Sequence, residues 1–126
     1  CLIGNGDAHL KNFALQYSPD MKNIFVSPPF DLTHTLIYES IDHKMVLKLA
    51  GSKAFPDRSH LIKLAESDRF RIRNPKAIIE FLSENILDYL RTSNEVQLFD
   101  GLRTSIERSI SNVMATGLGT QNYRLD

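Results

Sequence analysis

The 126-residue sequence has no tryptophan and a single cysteine, Cys1. One cysteine excludes an internal disulfide and a multi-cysteine zinc site, and so thiol-poor a chain suits the reducing cytoplasm. Long apolar runs are missing as well. Nothing approaches the roughly 20 residues that cross a bilayer, and no charged, apolar, then small-residue leader occurs. A cytoplasmic protein with no membrane partner is therefore expected. Charge of one sign is also lacking: Lys plus Arg and Asp plus Glu number 15 each, a formal net charge of zero. That balance excludes bulk electrostatic attraction to nucleic acid or anionic lipid, so a charged partner must be met by a local patch. Glycine and proline are few, at 6 and 5, and 42% hydrophobic with 24% charged residues is the composition of a globular domain. A chain this long buries roughly two thirds of its unfolded surface, enough for a core without staples. The first residue is not methionine, and Cys1-Leu2-Ile3 reads as an apolar run entered from upstream, so a longer polypeptide is expected.

Residues 13 to 27 hold two short apolar runs, Phe13 to Tyr17 and Asn23 to Ser27, around the turn-forming Ser18-Pro19-Asp20-Met21-Lys22. This predicts a β-hairpin. Pro28 and Pro29 end the second strand and keep Phe30-Asp31-Leu32 extended or turned. Met45 to Ala50 alternates weakly and predicts a third strand stopping at Gly51. Beyond Gly51 the spacing is helical. One helix carries Leu61, Ile62, Leu64 and Ala65 behind a cap at Asp57 or Ser59. A second starts with Asn74 as cap and Pro75 in the first turn, and aligns Ile78, Ile79, Leu82, Ile86 and Leu90 on one face. A third begins near Asn94, carries Phe99, Leu102, Ile106, Ile110 and Val113, and ends before Gly117 and Gly119. Residues 120 to 126 read as a polar tail. The expected fold class is α+β, mainly α, in one domain over residues 1–126: loop and hairpin within 1–51, a helical bundle over 52–119, and the tail.

The densest polar segment is Asn5-Gly6-Asp7-Ala8-His9-Leu10-Lys11-Asn12, placed in a loop, where function concentrates. Asp7 and Asn12 have the D-x-x-x-x-N spacing of phosphotransferase catalytic loops. Phosphoryl transfer needs both residue types. A carboxylate orients or accepts the proton of the attacking hydroxyl, and a neutral amide oxygen ligates Mg²⁺ without adding charge beside that base. A second acidic residue should hold the metal from the far end of a hairpin, where Asp31 stands. The order of loop, hairpin, aspartate and helices carries the argument, because the bare spacing is common.

Gly4 to Phe13, reading GNGDAHLKNF, followed by Pro29-Phe30-Asp31-Leu32, resembles the C-terminal lobe of HipA-like toxin kinases. Their loop reads approximately (N/T)-D-x-H-x-K-N-F and their metal motif (Y/F)-D-(L/I); Lys48-Leu49-Ala50 matches a K-L-A stretch that follows. The resemblance covers residues 1 to about 51. It implies a protein-kinase-like C-terminal lobe with the hairpin beside the catalytic loop, in a serine/threonine protein kinase using ATP and Mg²⁺. Such a kinase is the toxin of a bacterial type II toxin–antitoxin system, phosphorylates a protein such as an aminoacyl-tRNA synthetase, and promotes persistence. It is restrained by a helix-turn-helix antitoxin of HipB type, through which alone it meets DNA. By position, Asp7 becomes the catalytic base, Asn12 and Asp31 the metal ligands, and His9, Lys11, Asn12, Phe30 and Asp31 the nucleotide-binding residues. A cation at Lys11 suits the charge developing on the transferring phosphoryl.

Two departures qualify the match. Leu32-Thr33 replaces the Phe-Gly of conventional kinases, and no glycine-rich loop or strand lysine precedes Asp7, so the N-terminal lobe is expected on another part of the protein. Without it this chain alone is expected to be inactive. Gly6-Asp7 also approaches the H-G-D-x-x-x-x-N loop of aminoglycoside phosphotransferases, leaving a small-molecule kinase, or a non-catalytic kinase-lobe module, as alternatives. His34, His43 and His60 lack metal-ligand spacing and are expected at the surface or in loops. Arg69-Phe70-Arg71-Ile72-Arg73 reads as a solvated loop edge.

Overall fold

The computed structural model describes residues 1–115 of the chain. The expected tail over 120–126 lies outside the described residues. A 3-10 turn at Leu10–Asn12 leads into the antiparallel hairpin of β1 (Leu15–Tyr17) and β2 (Ile24–Val26), with Leu15 opposite Val26 and Tyr17 opposite Ile24. Helices α1 (Arg58–Glu66), α2 (Pro75–Thr92) and α3 (Leu102–Met114) follow, with a second 3-10 turn at Glu95–Leu98 between the last two. The domain is thus a small α+β fold of one hairpin and three helices.

The strands are shorter than the apolar runs that predict them, though a backbone bond flanks each end, Ser27 N–H donating to the Ala14 carbonyl at 2.9 Å. Ser18 closes the hairpin by donating its N–H to the Asn23 carbonyl at 3.0 Å, and Met21 supplies a left-handed residue at φ 58° in the turn. The third strand, expected over Met45 to Ala50, does not form. Leu49 and Ser52 exchange backbone bonds across a tight turn, with Ala50 at φ 49° and Gly51 at φ 87°. The run folds back on itself and never meets the hairpin edge; weak alternation had no partner to reward it.

α1 begins at the cap Asp57, whose carboxylate accepts the His60 N–H at 2.9 Å. α2 starts at Pro75 as the sequence predicts, but Asn74 is no side-chain cap. Its backbone is left-handed, at φ 53°, with no cap hydrogen bond from its side chain, so Pro75 begins the helix by its own fixed φ. The third helix begins eight residues later than expected. Glu95–Leu98 forms a separate 3-10 turn, and Gly101, at φ 77°, swings the chain into α3.

The core lies between α2, the Glu95–Leu98 turn and α3, and α1 contributes no buried residue to it. Leu90, Val96, Ile106 and Ile110 form its buried cluster, and Leu2, Ile3, Ile86, Leu87, Leu102 and Met114 pack around it. Ser83 and Ser109 are buried at the helix contacts and satisfy their hydroxyls on the carbonyls of Ile79 and Ser105, one turn back. Arg58 of α1 ion-pairs with Glu80 of α2, with its guanidinium largely covered. Ile78, Leu82 and Phe99, read from spacing as core positions, are instead exposed: the first two lie on the part of the α2 stripe that no other element covers, and Phe99 lies ahead of α3, before Gly101 turns the chain. No helix among the described residues is long and apolar enough to cross a membrane.

Hydrogen bonds from the His60 backbone, Ser59 and the His60 ring hold the Asp57 carboxyl below its ordinary pKa, the backbone bond contributing most. Its capping contribution is therefore complete above the ordinary carboxylate pKa and is lost as pH falls through the lower folded value. Asp57→Ala should cost about 1 kcal/mol in urea unfolding at pH 7 and less at pH 2. Ile110→Ala, which opens a cavity in the core, should cost about 2–5 kcal/mol at either pH.

Candidate active site

Two loops make the site. The first runs from Gly4 to Asn12. Asn5 is buried and folds an Asx turn, its Oδ1 accepting the Asp7 N–H at 3.0 Å. This leaves Asp7 exposed at the tip. Two residues on, His9 donates its backbone N–H to Asn12 Oδ1 at 3.0 Å, and Asn12 returns its own N–H to the His9 carbonyl at 3.0 Å. That reciprocal pair winds the 3-10 turn and buries Asn12, while Leu10 and Lys11 stay exposed on its outer side.

The second loop runs from Pro28 to Leu36. Asp31 adopts the left-handed conformation, φ 53°, which aspartate tolerates better than most side chains. The Asn12 amide donates to Asp31 Oδ2 at 2.6 Å. Thus two residues 19 apart in sequence share one hydrogen bond. Phe30, next to Asp31, is 44% exposed.

Three side chains that sequence reasoning passed over hold the loops together. Thr35 Oγ1 accepts the Gly6 N–H at 2.9 Å and donates to the Gly4 carbonyl at 3.2 Å, while its own N–H reaches that carbonyl at 3.1 Å. Thr33 Oγ1 donates to Asn5 Oδ1 at 3.3 Å. His34, expected as a surface or loop residue, is half-buried with both ring nitrogens engaged: Nδ1 with the Ile3 carbonyl at 2.5 Å and Nε2 with Ser105 Oγ at 2.8 Å. Asn5 could have been found from the Asn-Gly-Asp turn signal. The roles of Thr33, His34 and Thr35 had no local signal, because their partners lie 28 residues or more away.

The donor set is chemically coherent. Asp31 offers carboxylate oxygens, and Asn12 Oδ1 keeps one lone pair beyond that taken by His9 N–H, the hard oxygens that a small divalent cation prefers. No group of three or more His, Cys, Asp or Glu able to hold a metal occurs among the described residues. Magnesium does not need one, since it is held by one or two carboxylates together with waters and substrate phosphates. His9 Nδ1 is buried without a hydrogen-bond partner, an unpaired polar atom inside this loop. A cleft of about 520 Å³ between Phe55, His60 and Val113 includes none of Asp7, Asn12 or Asp31; Asp7 and Asp31 are exposed, and Asn12 is buried beneath its turn.

A sequence profile of the HipA-like C-terminal domain matches residues 1–90, taking in both loops, the hairpin, α1 and most of α2. The chain belongs to the HipA-like C-terminal domain family. A protein of Sinorhizobium fredii named "Putative kinase Y4dM" is similar, 34% identical over 85 residues, covering 63% of this chain and 20% of that protein. The chain therefore spans about a fifth of that relative's length. No solved structure matches.

The bare backbone at Gly6 makes the loop contact possible. A Cβ there would lie 2.7 Å from Thr35 Oγ1 and 3.0 Å from the Lys44 carbonyl. Gly6→Ala should therefore destabilise the protein by about 1–3 kcal/mol, measured by chemical denaturation.

Proposed function

We propose that this chain is the catalytic and metal-binding part of a HipA-like serine/threonine kinase, which transfers the γ-phosphoryl group of ATP to a protein hydroxyl. The single observation that carries this reading is the bond between Asn12 and Asp31, at 2.6 Å, beside a loop that exposes Asp7. Asp7 accepts the proton of the attacking hydroxyl as the new O–P bond forms and the bond to the leaving ADP breaks. Asn12 and Asp31 hold Mg²⁺, which neutralises charge on the nucleotide phosphates when bound. Lys11 adds a cation next to the transferring group, and His9 and Phe30 contact the nucleotide.

The remainder of the ATP site belongs to the N-terminal lobe, for which the hairpin offers a seat. Leu15, Tyr17, Ile24 and Val26 share one face of the ribbon and are 52–76% exposed. A two-stranded ribbon is marginal alone and gains stability when such a face is covered. In the cell the kinase acts as the toxin of a toxin–antitoxin pair, on a substrate such as an aminoacyl-tRNA synthetase, under a HipB-type antitoxin. These assignments rest on the family resemblance of the loop and of Phe30-Asp31-Leu32.

In the full-length protein, Asp7→Asn should abolish label transfer from γ-labelled ATP to protein while nucleotide binding persists. Undiminished transfer by that variant would sink the assignment of the base. Label passing to aminoglycosides instead of protein would favour the small-molecule kinase, and no transfer by the unaltered protein the non-catalytic module. Calorimetry on the 126-residue chain with ATP and Mg²⁺ should show no micromolar binding, in contrast to the full-length protein.

A further inference from the structure

We infer that His34 is a positioning residue: its imidazole joins the Asp7–Asn12 loop and the Asp31 segment to helix α3 at one junction, and so sets how Asn12 and Asp31 face each other. The inference rests on the reading of Asn12 and Asp31 as metal ligands.

The geometry defines the ring's roles. A carbonyl can only accept, so the bond at 2.5 Å between His34 Nδ1 and the Ile3 oxygen places a hydrogen on Nδ1. In the neutral ring Nε2 then accepts the Ser105 hydroxyl, at 2.8 Å. Ile3 immediately precedes the catalytic loop, and Ser105 is 71 residues from His34 in sequence. Thr33 and Thr35 secure the Asp31 segment to residues 4–6, which belong to the loop itself. His34 alone of these three reaches the helical bundle. Its anchor is firm, because Ser105 adjoins the core residue Ile106 and receives Ser109 Oγ on its carbonyl.

The loop makes room for the ring. Gly4 has φ 64°, and a Cβ on it would lie 2.9 Å from His34 Cε1 and Nδ1. The missing side chain at Gly4 and the imidazole at His34 are two halves of one contact. Asp31 lies three residues before His34 and is left-handed at φ 53°. A residue in that conformation persists when its surroundings over-determine it, and the His34 junction is the constraint on its C-terminal side that the core supplies. His34 touches neither ligand itself; it acts through the backbone of residues 31–34 and of Ile3, one step beyond the groups whose hydrogen bonds to a ligand govern metal affinity.

The test uses the full-length protein and Mn²⁺ as a magnetic stand-in for Mg²⁺, with bound ion measured by electron paramagnetic resonance in the presence of ADP. His34→Ala should weaken Mn²⁺ binding about tenfold. Ser105→Ala, a mild change on a helix, should weaken it severalfold while keeping the wild-type circular dichroism. His34→Asn, whose amide can reach the Ile3 carbonyl but not Ser105, should recover part of the loss seen in His34→Ala. Wild-type Mn²⁺ affinity in both Ser105→Ala and His34→Ala overturns the inference; if His34→Ala fails to fold, wild-type affinity in Ser105→Ala alone does so. Asp31→Asn is the control for the underlying reading. Unchanged Mn²⁺ binding in Asp31→Asn would remove Asp31 as a ligand and the inference with it, whereas loss there beside wild-type binding in the other variants removes only the role of His34.

Discussion

The lacing of residues 4–6 against residues 33–35 is the constraint on which the candidate site depends. Thr35 makes three contacts with Gly4 and Gly6, and Thr33 takes up Asn5. Residues 4–6 are buried, so a polar group there left unpaired would carry a desolvation cost of about 1–3 kcal/mol. The backbone of Gly6 is fixed further by its carbonyl, which accepts the Val46 N–H at 2.8 Å. Two glycines allow the approach and two threonines use it. Asp31 then arrives beside Asn12 as a consequence of chain connectivity rather than of any attraction strong enough to fold a loop.

Stability and function are divided between the two halves of the domain. The helices bury Leu90, Ile106, Ile110 and Val113 almost completely, whereas every residue of β1 and β2 is exposed. The bundle is therefore the source of hydrophobic stabilisation, and the loops draw on it through Leu2 and Ile3, which pack against the core, and through the polar junction at His34. Apolar side chains stay exposed on the hairpin and on the outer face of α2, at Ile78, Phe81 and Leu82.

Elements with local causes were legible in advance. The hairpin follows from apolar runs around a Pro-Asp turn, α1 from a capping aspartate, and α2 from Pro75 and a 3.6-residue period. Where a reading depended on a neighbour, it failed. Met45 to Ala50 has strand-like alternation but no strand to pair with, and Phe99 fits the spacing of α3 yet lies before Gly101 turns the chain. Asn74 has the right chemistry for a cap and the wrong backbone, since its left-handed φ carries the side chain away from the first turn.

The sequence by itself determined the family, the hairpin followed by three helices, and the choice of Asp7, Asn12 and Asp31 as candidates, because side-chain type and spacing are local properties. Only the tertiary structure decided that Asn12 and Asp31 touch, that Asn5, Thr33 and Thr35 hold the loops in register, and that His34 is a junction instead of a surface histidine. Each of those facts is a contact between residues 19 to 71 positions apart. Such contacts form when the helices bury their apolar faces and bring distant loops together, and no local pattern encodes which polar groups will then be within reach.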